Sequence, residues 1–256
     1  MNTATHLYGH TLNVPPIAHV SIARPFVWLS RGWDDLRHQP VSSLAYGLLV
    51  SLFGALILTF WSHPYLIAAS ITGFLLVGPL LTTGLCELSR LRGKGERADF
   101  DRSLSALGRN RPALLRFAGG LLLIAVVWFG LSTLMLHLML GSAGPGVFST
   151  IWGGALEQVT PVQAISYLVI GGLLACVVFV RSVVTIPMII DRATDARTAV
   201  QTSLRVTLSD LPAMLVWAAL ITLLVGLGFV TFLIGMIAIF PLLGHATWHA
   251  YRDLVR

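Results

Sequence analysis

The chain has 256 residues, of which 55% are hydrophobic and only 11% are charged, with a formal net charge of +6. The apolar residues come in long unbroken runs instead of the alternation of a soluble core, which excludes a water-soluble globular domain and defines a polytopic membrane protein. At about 20 apolar residues per crossing, the length allows roughly six crossings with short loops and leaves no room for a separate soluble enzyme domain.

In chain order, residues 1–22 are polar and dotted with histidines, and they lack the apolar core of a cleaved signal peptide. They read as a flexible cytoplasmic tail, and residues 23–256 as a single integral membrane domain. Spans are expected at about 43–61, 65–86, 114–138, 163–190, 212–226 and 229–249. The last two divide an apolar run over 212–244 that is too long for one crossing. It reads as two tight helices turning near "VGLGF", where glycines lower helix stability, with a single long tilted helix as the alternative. Trp61, Tyr65 and Trp152 suit an aromatic interfacial belt, and the pairs Gly119-Gly120 and Gly171-Gly172 suit close helix packing. Glu157 reads as an exposed loop residue. Cys86 and Cys176 lie roughly 25 Å apart in depth at 1.5 Å per residue, too far for a disulfide.

Charge then orients the chain. In a six-span arrangement all 17 Lys and Arg residues fall in the N-terminal segment, the polar stretches 89–111 and 191–210, the C-terminal end, or the span halves beside them. The positive-inside rule makes both termini cytoplasmic, and a bacterial inner membrane is the expected location. The expected partners are the bilayer, through anionic lipids at its cytoplasmic face, and a membrane protein. No nucleic-acid partner is expected, because the basic residues are spread over three segments without interleaved aromatics.

Self-similarity gives the organisation. "WLSRGWDDLRHQPVSSLAYGLL", "FDRSLSALGRNRPALLRFAGGLL" and "VQTSLRVTLSDLPAMLVWAALI" align on Pro40, Pro112 and Pro212. Each proline follows a helical apolar pattern: Phe26, Leu29, Trp33 and Leu36; Phe100, Leu104 and Leu107; Val200, Leu204 and Leu208. The second span of each hairpin carries its own proline, Pro79, Pro187 or Pro241, and three kinks at equal depth are expected. The expected fold is an all-α membrane protein. Its six transmembrane helices form three helical-hairpin repeats, each preceded by a cytoplasmic interfacial amphipathic helix.

The motifs "WLSRGWDDLRHQPVSSLAYGLL" and "GFLLVGPLLTTGLCELSRLRGKGE" resemble an uncharacterised family of bacterial predicted integral membrane proteins, a domain-of-unknown-function family sometimes labelled cytochrome c oxidase subunit I-like. The resemblance runs from about residue 24 to 254 and implies a six-helix inner-membrane protein, with no activity or catalytic residue. The oxidase subunit uses more spans and several intramembrane histidine ligands, whereas His63, His137, His245 and His249 stand here at inconsistent depths.

Two sets of residues carry candidate chemistry. Arg181 lies about nine residues inside its span, where an unpaired charge costs at least about 2.5 kcal/mol. Its repeat counterparts are Gly73 and Gly235, each six residues before the aligned proline. Either Arg181 projects into a hollow left by these glycines and binds an anionic headgroup or substrate, or it snorkels to the interface. The second set follows the kink prolines by four and eight residues: Thr83 and Glu87, Asp191 and Asp195, His245 and His249. Each pair shares one helix face, so the three could converge at the cytoplasmic mouth. They read as hydrated helix ends beside arginines, and Asp191 and Asp195 also suit a helix N-terminus. No metal is assigned; Asp191, Asp195, His245 and His249 are the residues with the donor chemistry for one, without an HExxH pattern. No cofactor and no catalytic residue is assigned.

The expected function is a non-enzymatic membrane module, a small transporter or an accessory and assembly partner of a membrane complex. The alternative is an enzyme or lipid-handling protein acting on an anionic headgroup. A transporter requires a polar path to Arg181, an accessory subunit a dry bundle with an apolar lateral groove. An enzyme requires Asp191, Asp195, His245 and His249 within about 3 Å of one shared atom.

Overall fold

The computed structural model describes residues 15–59, 64–140 and 160–256, with side-chain surroundings described except at 57–59, 64–77, 136, 139 and 140. Among the described residues there are eleven helices and no strand: α1 (Arg24–His38), α2 (Pro40–Thr59), α3 (Pro64–Gly93), α4 (Phe100–Leu104), α5 (Ala106–Arg109), α6 (Arg111–Leu140), α7 (Pro161–Ser182), α8 (Thr185–Arg192), α9 (Ala196–Ser209), α10 (Leu211–Val230) and α11 (Met236–Leu254).

Three helix boundaries are made the same way. Gln39, Asn110 and Asp210 each leave helical geometry for one residue, at φ/ψ of −133°/55°, −138°/55° and −124°/44°. A new helix then starts with proline at its first or second position, where the missing N–H has no helical partner to lose. At the first boundary α1 and α2 meet at 107°. The break residue stands one position before Pro40 but two before Pro112 and Pro212, so the prolines are offset by one residue relative to the backbone.

The inner prolines behave differently from one another. Pro79 and Pro241 sit inside the unbroken α3 and α11. Pro187 follows a break at Val183 and Val184, as expected when its ring crowds the carbonyl four residues earlier. The expected three kinks are therefore one break and two continuous helices.

The turn between α10 and α11 also corrects an expectation. Helix α10 runs through Gly226 and Gly228 to Val230, and the chain reverses at residues 231–235, so the apolar run is two helices and the alternative of one long helix does not hold. Phe232 adopts φ 51°. Its N–H reaches the Phe229 carbonyl at 2.9 Å, and the Leu233 N–H reaches that of Gly228 at 2.9 Å, the two bonds of a Schellman ending. Gly228 serves packing instead, since a Cβ there would lie 2.4 Å from the Met236 sulfur on α11.

Helix α11 is the centre of the bundle, with α1, α2, α3 and α10 around it. Glycines make the approaches possible. A Cβ on Gly47 of α2 would fall 2.0 Å from the Ile237 carbonyl oxygen, and one on Gly32 of α1 would fall 2.8 Å from the Ala246 nitrogen. Of the glycine pairs expected to pack closely, only Gly171 meets a wall, the Trp128 ring; Gly119 and Gly172 face open space. The apolar core gathers Trp28, Phe117, Met188, Trp217, Trp248 and Tyr251, with Trp28 edge-on to Trp217 at 5.7 Å.

Among the described residues three helical stretches are long and apolar enough to cross a membrane: Arg111–Met135, Pro161–Arg192 and Leu211–Val230. The bent pair of α1 and α2 makes a fourth if it counts as one span. The other expected spans fall on α3, whose side chains before Gly78 lie outside the described residues, and on α11, whose second half carries His245, His249, Arg252 and Asp253. The outer faces of α6, α7 and α10 are lined with exposed side chains such as Leu123, Leu168 and Leu223, an arrangement suited to lipid and costly in water.

The helices before the spans pack in the opposite sense to a soluble protein. Phe26, Trp33, Leu104, Leu107, Leu204 and Leu208, expected on the apolar stripes, are exposed, and only Leu36 of those stripes is fully buried. The inward faces carry small and polar residues: Gly32 and Asp35 on α1, Ser103 and Ala106 on α4 and α5, Ala199, Thr202 and Ser203 on α9. Residues 15–22, part of the expected free tail, are tied down. Ile17 bridges Val255, the Ala18 N–H reaches the Leu254 carbonyl at 3.0 Å, and His19 lies 3.2 Å from Asp210. Trp61, Trp152, His63 and Glu157 lie outside the described residues, as do the surroundings of Tyr65.

Candidate functional site

The inward stripe of α1, Trp28–Gly32–Asp35–Leu36, carries one carboxylate into the bundle. Because Gly32 lets α1 lie against the α11 backbone, Asp35 arrives where α3 and α11 end, and it is only 4% exposed. Its Oδ2 accepts from Ser89 Oγ at 2.5 Å and lies 2.9 Å from His249 Nε2, while its Oδ1 accepts from Arg92. His245, fully buried, lies one turn deeper. Its Nδ1 is 2.7 Å from Ser89 Oγ and its Nε2 is 2.9 Å from Ser43 Oγ on α2. A continuous polar chain therefore runs from Ser43 through His245 and Ser89 to Asp35 and His249, joining four helices. Burial pushes the Asp35 carboxyl up, but the hydrogen bonds from His249 and Ser89 and the nearby imidazoles outweigh it and hold the pKa below the usual carboxylate value.

Neighbouring acids are equally well held. Glu87 of α3, 1% exposed, receives two hydrogen bonds at 2.7 Å from Arg90, and from Arg109 one at 2.9 Å and one at 2.6 Å, in the fork geometry guanidinium favours. Asp253 on α11 accepts from Arg24 at 2.6 Å, Trp28 Nε1 at 2.9 Å and Arg31 at 3.2 Å. Burial raises its pKa, and the Arg24 and Trp28 bonds more than offset that, leaving it lowered. Asp191 accepts from the Tyr251 hydroxyl at 2.8 Å. Asp195 caps α9 by accepting from the Thr198 N–H at 3.0 Å, the helix-start role its sequence context allowed.

The three expected pairs thus split. His245 and His249 meet each other's network through Asp35 and Ser89, whereas Glu87, Asp191 and Asp195 have separate partners, and the Thr83 hydroxyl is buried without a hydrogen-bond partner among the described residues. Among the described residues no three His, Cys, Asp or Glu side chains form a group able to hold a metal. Arg181 is partly buried with its Nη2 near Gly120 of α6, 3.8 Å from where a Cβ would stand. Gly235 lies instead beside Thr231, Gly228 and Ile239, so the expected hollow is not shared with it, and the surroundings of Gly73 lie outside the described residues. Sequence reasoning missed Asp35, Ser89, Ser43 and Arg92. The available signal was a carboxylate at i, i+4, i+7 spacing from Trp28 and Gly32, the face that packs inward.

Next to Asp35 a cleft of about 540 Å³ opens between α1, α3 and α11, with Arg31, Arg92, His249 and Arg252 among its walls. Between α2 and α3 lies a second, apolar groove of about 410 Å³, lined by Leu49, Val50, Leu52, Phe53, Gly78 and Leu81 among others.

An all-helical chain with lipid-suited outer faces and a polar network at one end is an integral membrane protein. Residues 66–191, a little under half of the chain, match the family described as "Predicted integral membrane protein (DUF2189)", whose function is unknown. No curated protein and no solved structure matches the chain.

Proposed function

We propose that the protein is a six-span module of the bacterial inner membrane that serves, without catalysis of its own, as an accessory or assembly partner of a larger membrane complex. Both termini and the three interfacial helices, α1, α4–α5 and α9, lie on the cytoplasmic side in this reading, against anionic lipids. Three observations support the architecture. The break residues Gln39, Asn110 and Asp210 share one backbone geometry, as repeats would. The helices ahead of these breaks turn Phe26, Trp33, Leu104, Leu107, Leu204 and Leu208 outward, as helices lying in a headgroup layer do. The arginines gather at the same end as Asp35 and Glu87.

The accessory role rests on the apolar groove between α2 and α3. Its walls are bulky and apolar except at Gly78, where a Cβ would meet open space, a lining that suits an apolar helix of a partner. The polar network, by contrast, is consumed in holding helices together: Asp35, Glu87 and Asp253 each bind two or three neighbours. A photo-crosslinking residue at Leu52 tests the role in native membranes. One defined membrane protein should be captured there and not from Leu168 on α7; adducts with lipid alone, or equal capture from both positions, overturn it.

A further inference from the structure

The cleft beside Asp35 has an imbalance between donors and acceptors that the accessory role does not use. Three carboxylates border it, and all are committed. Asp35 is filled by Ser89, Arg92 and His249, Asp253 by Arg24, Trp28 and Arg31, and Asp34 accepts from Arg37 at 2.6 Å. The arginines are not. A guanidinium carries five N–H groups, and among the described residues Arg31 spends one on Asp253 at 3.2 Å. Arg252 makes only a 3.8 Å ion pair with Asp191 and is 59% exposed. Formal charge in the cleft is balanced, but hydrogen-bonding capacity is not: among the described residues Asp35 and Asp253 each accept three bonds and only Asp34 keeps an open oxygen, while Arg31 and Arg252 keep most of their N–H groups. A second cleft of about 420 Å³ shares Arg252 and Asp253 and adds Arg24, Arg256 and His19, which extends the donor surplus to both sides of Arg252.

We propose that this cleft binds a phosphate-bearing anion, with Arg31 and Arg252 as the contacting groups. Phosphate presents several acceptor oxygens and no obligatory donor, and guanidinium forks match it. Two sources offer that chemistry, the headgroup of an inner-leaflet lipid and a soluble phosphate ester. The exposed Phe26 and Trp33 on the same helix as Arg31 set the cleft at headgroup level. The site stands independently of the lateral groove and of the accessory role.

The test uses the full-length chain in phosphatidylcholine nanodiscs. Pyrophosphate binding is measured by calorimetry and phosphatidylglycerol retention by native mass spectrometry, for wild type, Arg252→Gln and Arg205→Gln. Arg205, exposed on α9, controls for loss of one positive charge elsewhere. At least one probe should bind wild type and Arg205→Gln alike and bind Arg252→Gln about tenfold more weakly, the scale of one charge-assisted contact. Retention of the lipid alone identifies a headgroup, pyrophosphate binding alone a soluble ester, and both the phosphate group itself. The proposal is overturned if neither probe binds, if Arg252→Gln binds like wild type, or if both substitutions weaken binding equally.

Discussion

Asp35 ties three helix ends with one side chain, and removing its charge exposes the value of that arrangement. In Asp35→Asn the amide can still accept from Ser89, but Arg92 loses its counter-ion and His249 its anchor. Breaking a buried pair is costly because the remaining charge stays desolvated; with Arg92 30% exposed, the expected loss is about 2 kcal/mol. The neighbouring Asp34→Asn, on an exposed i, i+3 pair, should cost at most about 0.5 kcal/mol. Unfolding in mild detergent distinguishes the two; equal losses would mean that Asp35 is not the tie described. The same residue predicts a pH dependence. Its folded pKa is lowered, so its stabilising contribution is complete above the unfolded value of about 4 and is lost as pH falls through the folded one. The difference in thermal stability between wild type and Asp35→Asn should therefore stay constant above about pH 5 and shrink as pH falls below about 4. This network was hidden in the sequence because a dipeptide of two aspartates does not reveal which one turns inward. That depends on Gly32 admitting the α11 backbone, a tertiary contact.

At the level of elements, the proline-headed helices were readable because proline at a helix start acts locally through its fixed φ and missing N–H. Local rules fail where packing decides. "VGLGF" carries two helix-weakening glycines yet stays helical, because Gly228 is the place where α10 meets Met236. The apolar stripes of α1 and α9 were legible as faces, but periodicity alone does not say on which side lipid lies, and the outward exposure of Phe26, Trp33, Leu204 and Leu208 comes from the packing. Glycines therefore fall into two classes that composition cannot separate. Gly47→Ala places a methyl 2.0 Å from a backbone oxygen that cannot rotate away, so α2 must move off α11 at a cost of about 2–3 kcal/mol. Gly119→Ala meets open space inside α6 and should be neutral or stabilising by up to about 1 kcal/mol. Detergent-unfolding midpoints of the two variants should move in opposite directions, or Gly119→Ala not at all. A Gly47→Ala protein as stable as wild type would contradict the backbone contact between α2 and α11.

For the whole molecule, the proposed topology makes a claim about sides that no single helix carries. The break residues Gln39, Asn110 and Asp210, the Asp35 network and the pairing of Ile17 with Val255 lie toward one end of the bundle, whereas the start of α7 at Thr160 and the turn at Phe232 lie at the far ends of their helices. If the arginine-rich end is cytoplasmic, single cysteines placed in a chain lacking Cys86 and Cys176 must divide by side. Thr160→Cys and Phe232→Cys, both exposed, should react with a membrane-impermeant maleimide applied to intact cells. Asp34→Cys and Arg197→Cys should react only after permeabilisation. The reverse pattern would invert the protein and, with it, place the phosphate cleft outside. A mixed pattern, with Thr160 and Phe232 on opposite sides, would remove one crossing and break the threefold hairpin plan. The division follows from energetics: moving the cluster around Glu87, Arg90 and Arg109 through hydrocarbon would strip several charges of water at once, a cost measured in kcal/mol per group, so the side chosen at insertion is kept.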